Sequence, residues 1–218
     1  MVLYFHPRGF VPNTENWLIY MGRDKFENED LIKFGLPIDV WFHVDDLSSA
    51  HVYLRLPPGS TMDDIPPDTL EDCCQLVKAN SIQGNKKASV DIVYTPWSNL
   101  NKSHDMDVGA VGFHDMSLVK KVKVPKKVND IVNRLNRTKR EEAPDLAAEK
   151  QAYDAEIRSE RKAAIIQQRR EEKAVKETLE KEKEARSYHH IMQEENMVSS
   201  KSLGEKYESV EDYEDDFM

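Results

Sequence analysis

Apolar positions in the first 124 residues recur with two periods. Trp17-Leu18-Ile19-Tyr20-Met21, ended by Gly22, predicts a strand. Val40 to Val44 and His51 to Leu56 alternate at period two across the polar loop Asp45-Asp46-Leu47-Ser48-Ser49, which predicts a hairpin closed by Pro57-Pro58-Gly59. Val90 to Tyr94, Gly109 to Phe113 and Leu118 to Val124 read as further strands. Helical spacing takes over from Glu27 to Phe34, with Asn28 or Asp24 as N-cap and Gly35 as the stop. It returns from Thr69 to Ala79, where Leu70, Cys73, Cys74 and Val77 share a stripe behind Pro66-Pro67. These elements predict an α+β fold, a mostly antiparallel sheet with packed helices.

Successive strand residues point to opposite sides of a sheet. Phe42 and Val44 therefore share a face with Val52, Leu54 and Leu56, which reads as core. The opposite face carries Trp41, His43, His51, Tyr53 and Arg55. It is either a recognition surface or a second face covered by a helix.

Beyond residue 124 the pattern changes. Pro125 to Arg140 predicts a basic amphipathic helix, with Val128, Ile131, Val132 and Leu135 on one stripe. A second helix is expected from Pro144-Asp145 to about Met192. Charged residues make up 22 of the 42 positions from Asp145 to Arg186, and four-residue acid-to-base spacings such as Asp154–Arg158, Glu172–Lys176, Glu177–Lys181 and Glu182–Arg186 support it. Its apolar residues form no unbroken heptad seam, so a charge-stabilised helix or a weak coiled coil awaiting a protein partner is expected. The acidic end reads as disordered. The expected organisation is a domain at 1–124, a basic helix at 125–143, a long charged helix at 144–192 and a tail at 193–218.

Charge is distributed unevenly beneath the net -9. Residues 1–124 hold 12 basic and 17 acidic side chains, whereas Lys120 to Arg140 holds nine basic residues against one acid. Such density contacts phosphates and steers polyanions whatever the net charge. The candidates there are Lys120, Lys121, Lys123, Lys126, Lys127, Arg134 and Arg137. Met21-Gly22-Arg23-Asp24-Lys25 adds two cations at a strand-to-helix turn, where a helix N-terminus also favours anions. The aromatic, histidine and arginine side chains of the second sheet face could stack on bases.

Catalytic signatures are lacking: there is no G-x-S-x-G elbow, no phosphate-binding G-x-x-x-x-G-K-[ST] loop and no H-E-x-x-H. No catalytic residue, cofactor or metal is assigned, although His43, Asp45 and His51 leave open an alternative as a metal-dependent enzyme. The two cysteines, Cys73 and Cys74, are adjacent and suit a reducing compartment. Neither a secretory leader nor a membrane span is expected, so a cytoplasmic setting is, with the nucleus and peripheral membrane attachment left open.

Read in order, Tyr20-Met21-Gly22-Arg23-Asp24-Lys25, Asn28-Glu29-Asp30-Leu31-Ile32-Lys33, Asp39-Val40-Trp41-Phe42-His43, Ala50-His51-Val52-Tyr53-Leu54-Arg55, Val93-Tyr94-Thr95-Pro96-Trp97 and Pro144-Asp145-Leu146-Ala147-Ala148-Glu149-Lys150 resemble the NFACT-R domain, an RNA-binding module. Within it they resemble the coiled-coil domain-containing protein 25 family. The resemblance covers most of residues 1–150 and implies nucleic-acid binding without catalysis, with Met21 to Lys25 as a contact. RNA is the favoured partner and DNA is left open. Larger NFACT relatives act at the ribosome in quality control of stalled chains, so a ribosomal partner is implied only as far as it does not need their long N-terminal portion.

Overall fold

The structure is a computed structural model and describes residues 1–10 and 16–187. The expected end of the long helix and the acidic tail at 193–218 lie outside the described residues. The chain forms two compact units, Met1–Glu156 and Ile157–Met218.

The first unit is built on a seven-stranded sheet. Its strands are β1 (Val2–Phe5), β2 (Leu18–Gly22), β3 (Asp39–Val44), β4 (Val52–Arg55), β5 (Val90–Pro96), β8 (Lys120–Val124) and β9 (Arg140–Glu142), in the order β8-β5-β3-β4-β2-β1-β9. Every neighbouring pair is antiparallel. A small ribbon pairs β6 (Leu100–Asn101) with β7 (Gly112–Phe113). Thus the strand expected over Gly109 to Phe113 shrinks to two residues. Gly109 has a φ of 87°, a left-handed turn that breaks the extended run.

Both faces of the sheet are buried. On one, Phe42, Val44, Val52, Leu54 and Leu56 pack with Cys73, Cys74, Leu76 and Val77 of α2 (Pro67–Ala79). The second helix on this side, α3 (Asn129–Thr138), adds Leu135 and leaves α2 between two layers. Polar residues of α2 are consequently buried and paired: Asp72 takes Arg8 and Arg134, and Gln75 accepts from the Val128 N–H at 3.0 Å. On the other face, Val2, Tyr4, Tyr20, Trp41, Tyr53 and Val93 form a second core cluster with Leu31 of α1 (Lys25–Phe34), and Trp97, Val111, Phe113 and Leu146 pack against it. The strand β1 escaped the pattern because all four of its residues are buried, two on each face, so it shows no alternation.

The basic segment departs from expectation as well. Its helix spans only Asn129 to Thr138, and Arg140 begins an edge strand paired with β1. The long helix, α4 (Leu146–Arg186), starts within the first unit. There Leu146 packs on the second core cluster, and Lys150 lies 4.4 Å from the Trp97 ring centroid and donates to the carbonyls of Lys33 and Gly35 at the end of α1. In the second unit, α4 is laced by Lys173–Glu177, Lys176–Glu180 and Glu182–Arg186 ion pairs, and Ile165, Ile166, Val175 and Leu179 are exposed. Among the described residues no helix is long and apolar enough to cross a membrane.

Candidate nucleic-acid interface

Sheet register gathers a cleft from distant parts of the chain. Val52 of β4 pairs with Phe42 and Met21, and Val93 of β5 pairs with both His43 and Lys121. His43, Val93 and Lys121 therefore point to one side of the sheet, and the His51 ring lies 4.9 Å from that of His43. At this end of the sheet β2 stops at Gly22 and the chain turns into α1. A Cβ on Gly22 would stand 2.9 Å from the Asn28 nitrogen, so this close approach of strand and helix requires glycine. The resulting open cleft, about 990 Å³, is lined by Gly22 to Lys25 and Asn28 on one bank. Asp45 to Ala50, Ile82 and Val108 line the rest, with Trp41, His43 and His51 between.

Three rings lock together inside it. Trp41 and His43 stack with centroids 5.4 Å apart and planes 5° from parallel. The Trp41 Nε1–H donates to His51 Nδ1 at 2.8 Å. Indole nitrogen only donates, so His51 Nδ1 is unprotonated and the ring is neutral. Burial, and then the charge of a protonated His43, push the His51 pKa from 6.5 down to about 3. An unfolded His51 takes up its proton near the ordinary value, a folded one only near the depressed value. Between the two the unfolded state binds more protons, so stability falls as pH falls, by up to about 1.4 kcal/mol per pH unit. Urea unfolding from about pH 6.5 to pH 5 is expected to show the natural chain losing stability more steeply than His51→Gln, by about 1 kcal/mol per unit. Equal slopes would remove this role.

Several site expectations are corrected here. Tyr53 is wholly buried and donates through its hydroxyl to Asn28 Oδ1 at 2.9 Å, and Trp41 is 2% exposed, so neither can stack on a base. Arg55 is turned to Asp39 at 3.0 Å and Glu149 at 3.4 Å. His51 is buried, Met21 packs into the core on the α2 side, and Asp24 caps α1, accepting from the Phe26 and Glu27 N–H groups at 2.9 and 3.0 Å. The Asp24 carboxylate thereby occupies the helix N-terminus that would otherwise attract an anion. Trp41, His43 and His51 all line the cleft but of these only His43 is half-buried, while Arg23 and Lys25 are exposed on its rim. Neither cation makes a salt bridge among the described residues.

The basic run is also divided. Strand alternation sends Lys121 and Lys123 to the cleft side of the sheet. Lys120 points to the opposite side, where it pairs with Asp63. Arg134 binds the buried carboxylate of Asp72 at 2.6 Å, a structural commitment rather than a free phosphate contact. Arg137 and Lys126 are exposed and Lys127 is half-buried, all away from the cleft. Nor do His43, Asp45 and His51 converge as ligands. Asp45 accepts from Lys121 at 2.6 Å, His51 Nδ1 is taken by Trp41, and among the described residues no cluster of three His, Cys, Asp or Glu could hold a metal ion.

Asn28 is the cleft residue that sequence reasoning missed as a site. The sequence offers it as a helix cap, and a polar residue in a first turn is ordinarily solvent-facing. Its burial depends on the β2–α1 approach over Gly22.

Comparison with known proteins follows the same residues. The NFACT protein RNA binding domain family matches residues 1–115. Coiled-coil domain-containing protein 25 of Mus musculus is 56% identical over 200 residues, 92% of this chain and 95% of that protein. The Danio rerio protein of the same name is 61% identical over 73% of this chain and 75% of its own length. A homolog from Dictyostelium discoideum is 56% identical over 71% of this chain and 72% of its own length. The matched family is one of RNA-binding domains, which supports nucleic-acid binding, and these names point to a binding protein rather than an enzyme. The chain belongs to the coiled-coil domain-containing protein 25 family and carries the NFACT RNA-binding domain in its first unit.

Proposed function

We propose that the protein binds RNA, without catalysing a reaction on it, at the cleft between the Gly22–Lys25 turn and the 45–50 loop. The observation that carries this reading is the lining of one cleft by the half-buried ring of His43 and by two cations, Arg23 and Lys25, that make no salt bridge among the described residues. Arg23 and Lys25 grip phosphates on one rim, with Lys121 and Lys123 extending the positive surface across the sheet edge. Lys126, Lys127 and Arg137 add weaker, sequence-independent attraction from the α3 side. Ribosomal and transfer RNA are the first partners to test, and a cytoplasmic setting goes with them. Phosphate contacts do not separate RNA from DNA, so DNA belongs in the same experiment.

Titration with transfer RNA, ribosomal RNA fragments and single- and double-stranded DNA across a salt series tests the assignment. Arg23→Ala with Lys25→Ala is expected to weaken binding and flatten the log–log salt slope by about 0.7–0.9 per lost phosphate contact. Unchanged affinity and slope would overturn the turn as the contact.

A second role, as an adaptor arm for a protein partner, is supported by the exposed Ile165, Ile166, Val175 and Leu179 of α4. A chain ending after Glu156 is expected to keep its nucleic-acid affinity, and a loss would assign α4 to nucleic acid instead.

A further inference from the structure

Two features of the cleft serve no purpose in gripping phosphate. The first is His43. Its ring is backed by the buried Trp41 indole and braced edge-on by His51, with His43–His51 centroids 4.9 Å apart and planes 68° from parallel. Of these three rings it is the one that is only half-buried, and burial lowers its pKa, which favours the neutral ring. The second is Asn28, which lines the same cleft at 5% exposure. Its Oδ1 accepts from Tyr53, but its buried Nδ2 has no hydrogen-bond partner among the described residues. An unpaired buried donor is destabilising, a penalty that an incoming acceptor would relieve.

We propose, on the strength of the nucleic-acid reading above, that the cleft holds a single unpaired nucleobase bearing a carbonyl group. The base lies against His43, its carbonyl oxygen accepts from Asn28 Nδ2 as that buried amide turns toward the cleft, and its flanking phosphates meet Arg23 and Lys25. In a duplex the faces of each base are covered by its neighbours, so a ring set inside a concavity reaches only an unstacked base. The cleft volume, about 990 Å³, falls at the upper end of the roughly 300–1,000 Å³ that accommodates single small ligands. Uracil, guanine and cytosine carry a carbonyl; adenine does not. Adenine nevertheless offers the larger ring, so stacking alone and stacking plus Asn28 predict opposite preferences.

The full-length protein is titrated with oligouridylate, oligoadenylate and a blunt RNA duplex of equal length at one salt concentration. Oligouridylate is expected to bind about three- to tenfold tighter than oligoadenylate, the worth of one hydrogen bond. The duplex is expected to bind more weakly than oligouridylate. His43→Ala is expected to weaken oligouridylate by about tenfold or more, the loss of one base stack. Asn28→Asp keeps the acceptor for Tyr53 and removes the donor. Its added charge weakens both single strands alike, so the readout is their ratio, which is expected to fall to one or below. Thermal melting reports whether each variant is folded; if Asn28→Asp is not, the ratio in the natural protein decides alone. Equal binding of all three nucleic acids, with the Arg23 and Lys25 dependence intact, would overturn the base pocket and leave nucleic-acid binding standing. Binding of none of them would overturn both.

Discussion

Asp39→Ala is expected to destabilise the first unit by about 3–5 kcal/mol, measured by urea unfolding, because it strips a buried ion pair of one partner. The Asp39 carboxylate has no exposed surface. Its Oδ2 accepts from the Tyr20 hydroxyl at 2.8 Å and the Leu36 N–H at 2.9 Å, and its Oδ1 accepts from Arg55 Nε at 3.0 Å. Arg55 in turn sits 5.2 Å from the Tyr20 ring centroid and reaches Glu149 of α4 at 3.4 Å. Alanine would leave the Tyr20 hydroxyl and the Leu36 N–H unpaired and the guanidinium facing only Glu149. Asp39→Asn keeps the acceptor but not the charge, and an intermediate loss is expected. A loss below about 1 kcal/mol for alanine would mean that Arg55 finds another partner and that the network is not what ties α4 to the sheet.

Trp41→Ala is expected to cost a similar amount, about 3–5 kcal/mol, the usual penalty for emptying a buried aromatic site. The indole pairs in register with Tyr53, meets Phe113 edge-on at 5.7 Å and supports His43 from below. Its loss also orphans His51 Nδ1. Trp41→Phe keeps the ring and removes the donor, and about 1–3 kcal/mol is expected for that half of the effect. Had the indole been an exposed stacking surface, alanine would lower RNA affinity at little cost in stability. Denaturation curves for both variants separate the two roles, and a near-normal midpoint for Trp41→Ala would restore the exposed reading.

Residues on β3 and β4 show how far the sequence could be read. Alternation correctly separated Phe42, Val44, Val52 and Leu54 from Trp41, His43, His51 and Tyr53, because the side-chain period of a strand is purely local. It could not tell an exposed second face from one covered by α1, the 97–119 segment and the start of α4. Aromatic and arginine side chains suit a wet surface and a polar-rimmed core equally well, and here Tyr53 and Arg55 found buried partners in Asn28 and Asp39. The basic run failed for a related reason. Nine cations close in sequence look like one patch, yet β8 alternates them across the sheet, α3 commits Arg134 to Asp72, and β9 carries Arg140 to the far edge.

By itself the sequence determined the α+β class, the hairpin, the core stripe of α2 and the turn at Gly22, all set by periodicity and local backbone preference. It also carried the family resemblance, which lies in the order of short motifs. Tertiary structure alone decided which cations and rings share a cleft, that Met21 is a core residue, and that Asn28 is buried with a donor to spare. Those outcomes depend on strand order and on helix packing across 20 to 100 residues of separation, and contacts at that range leave no period in the chain.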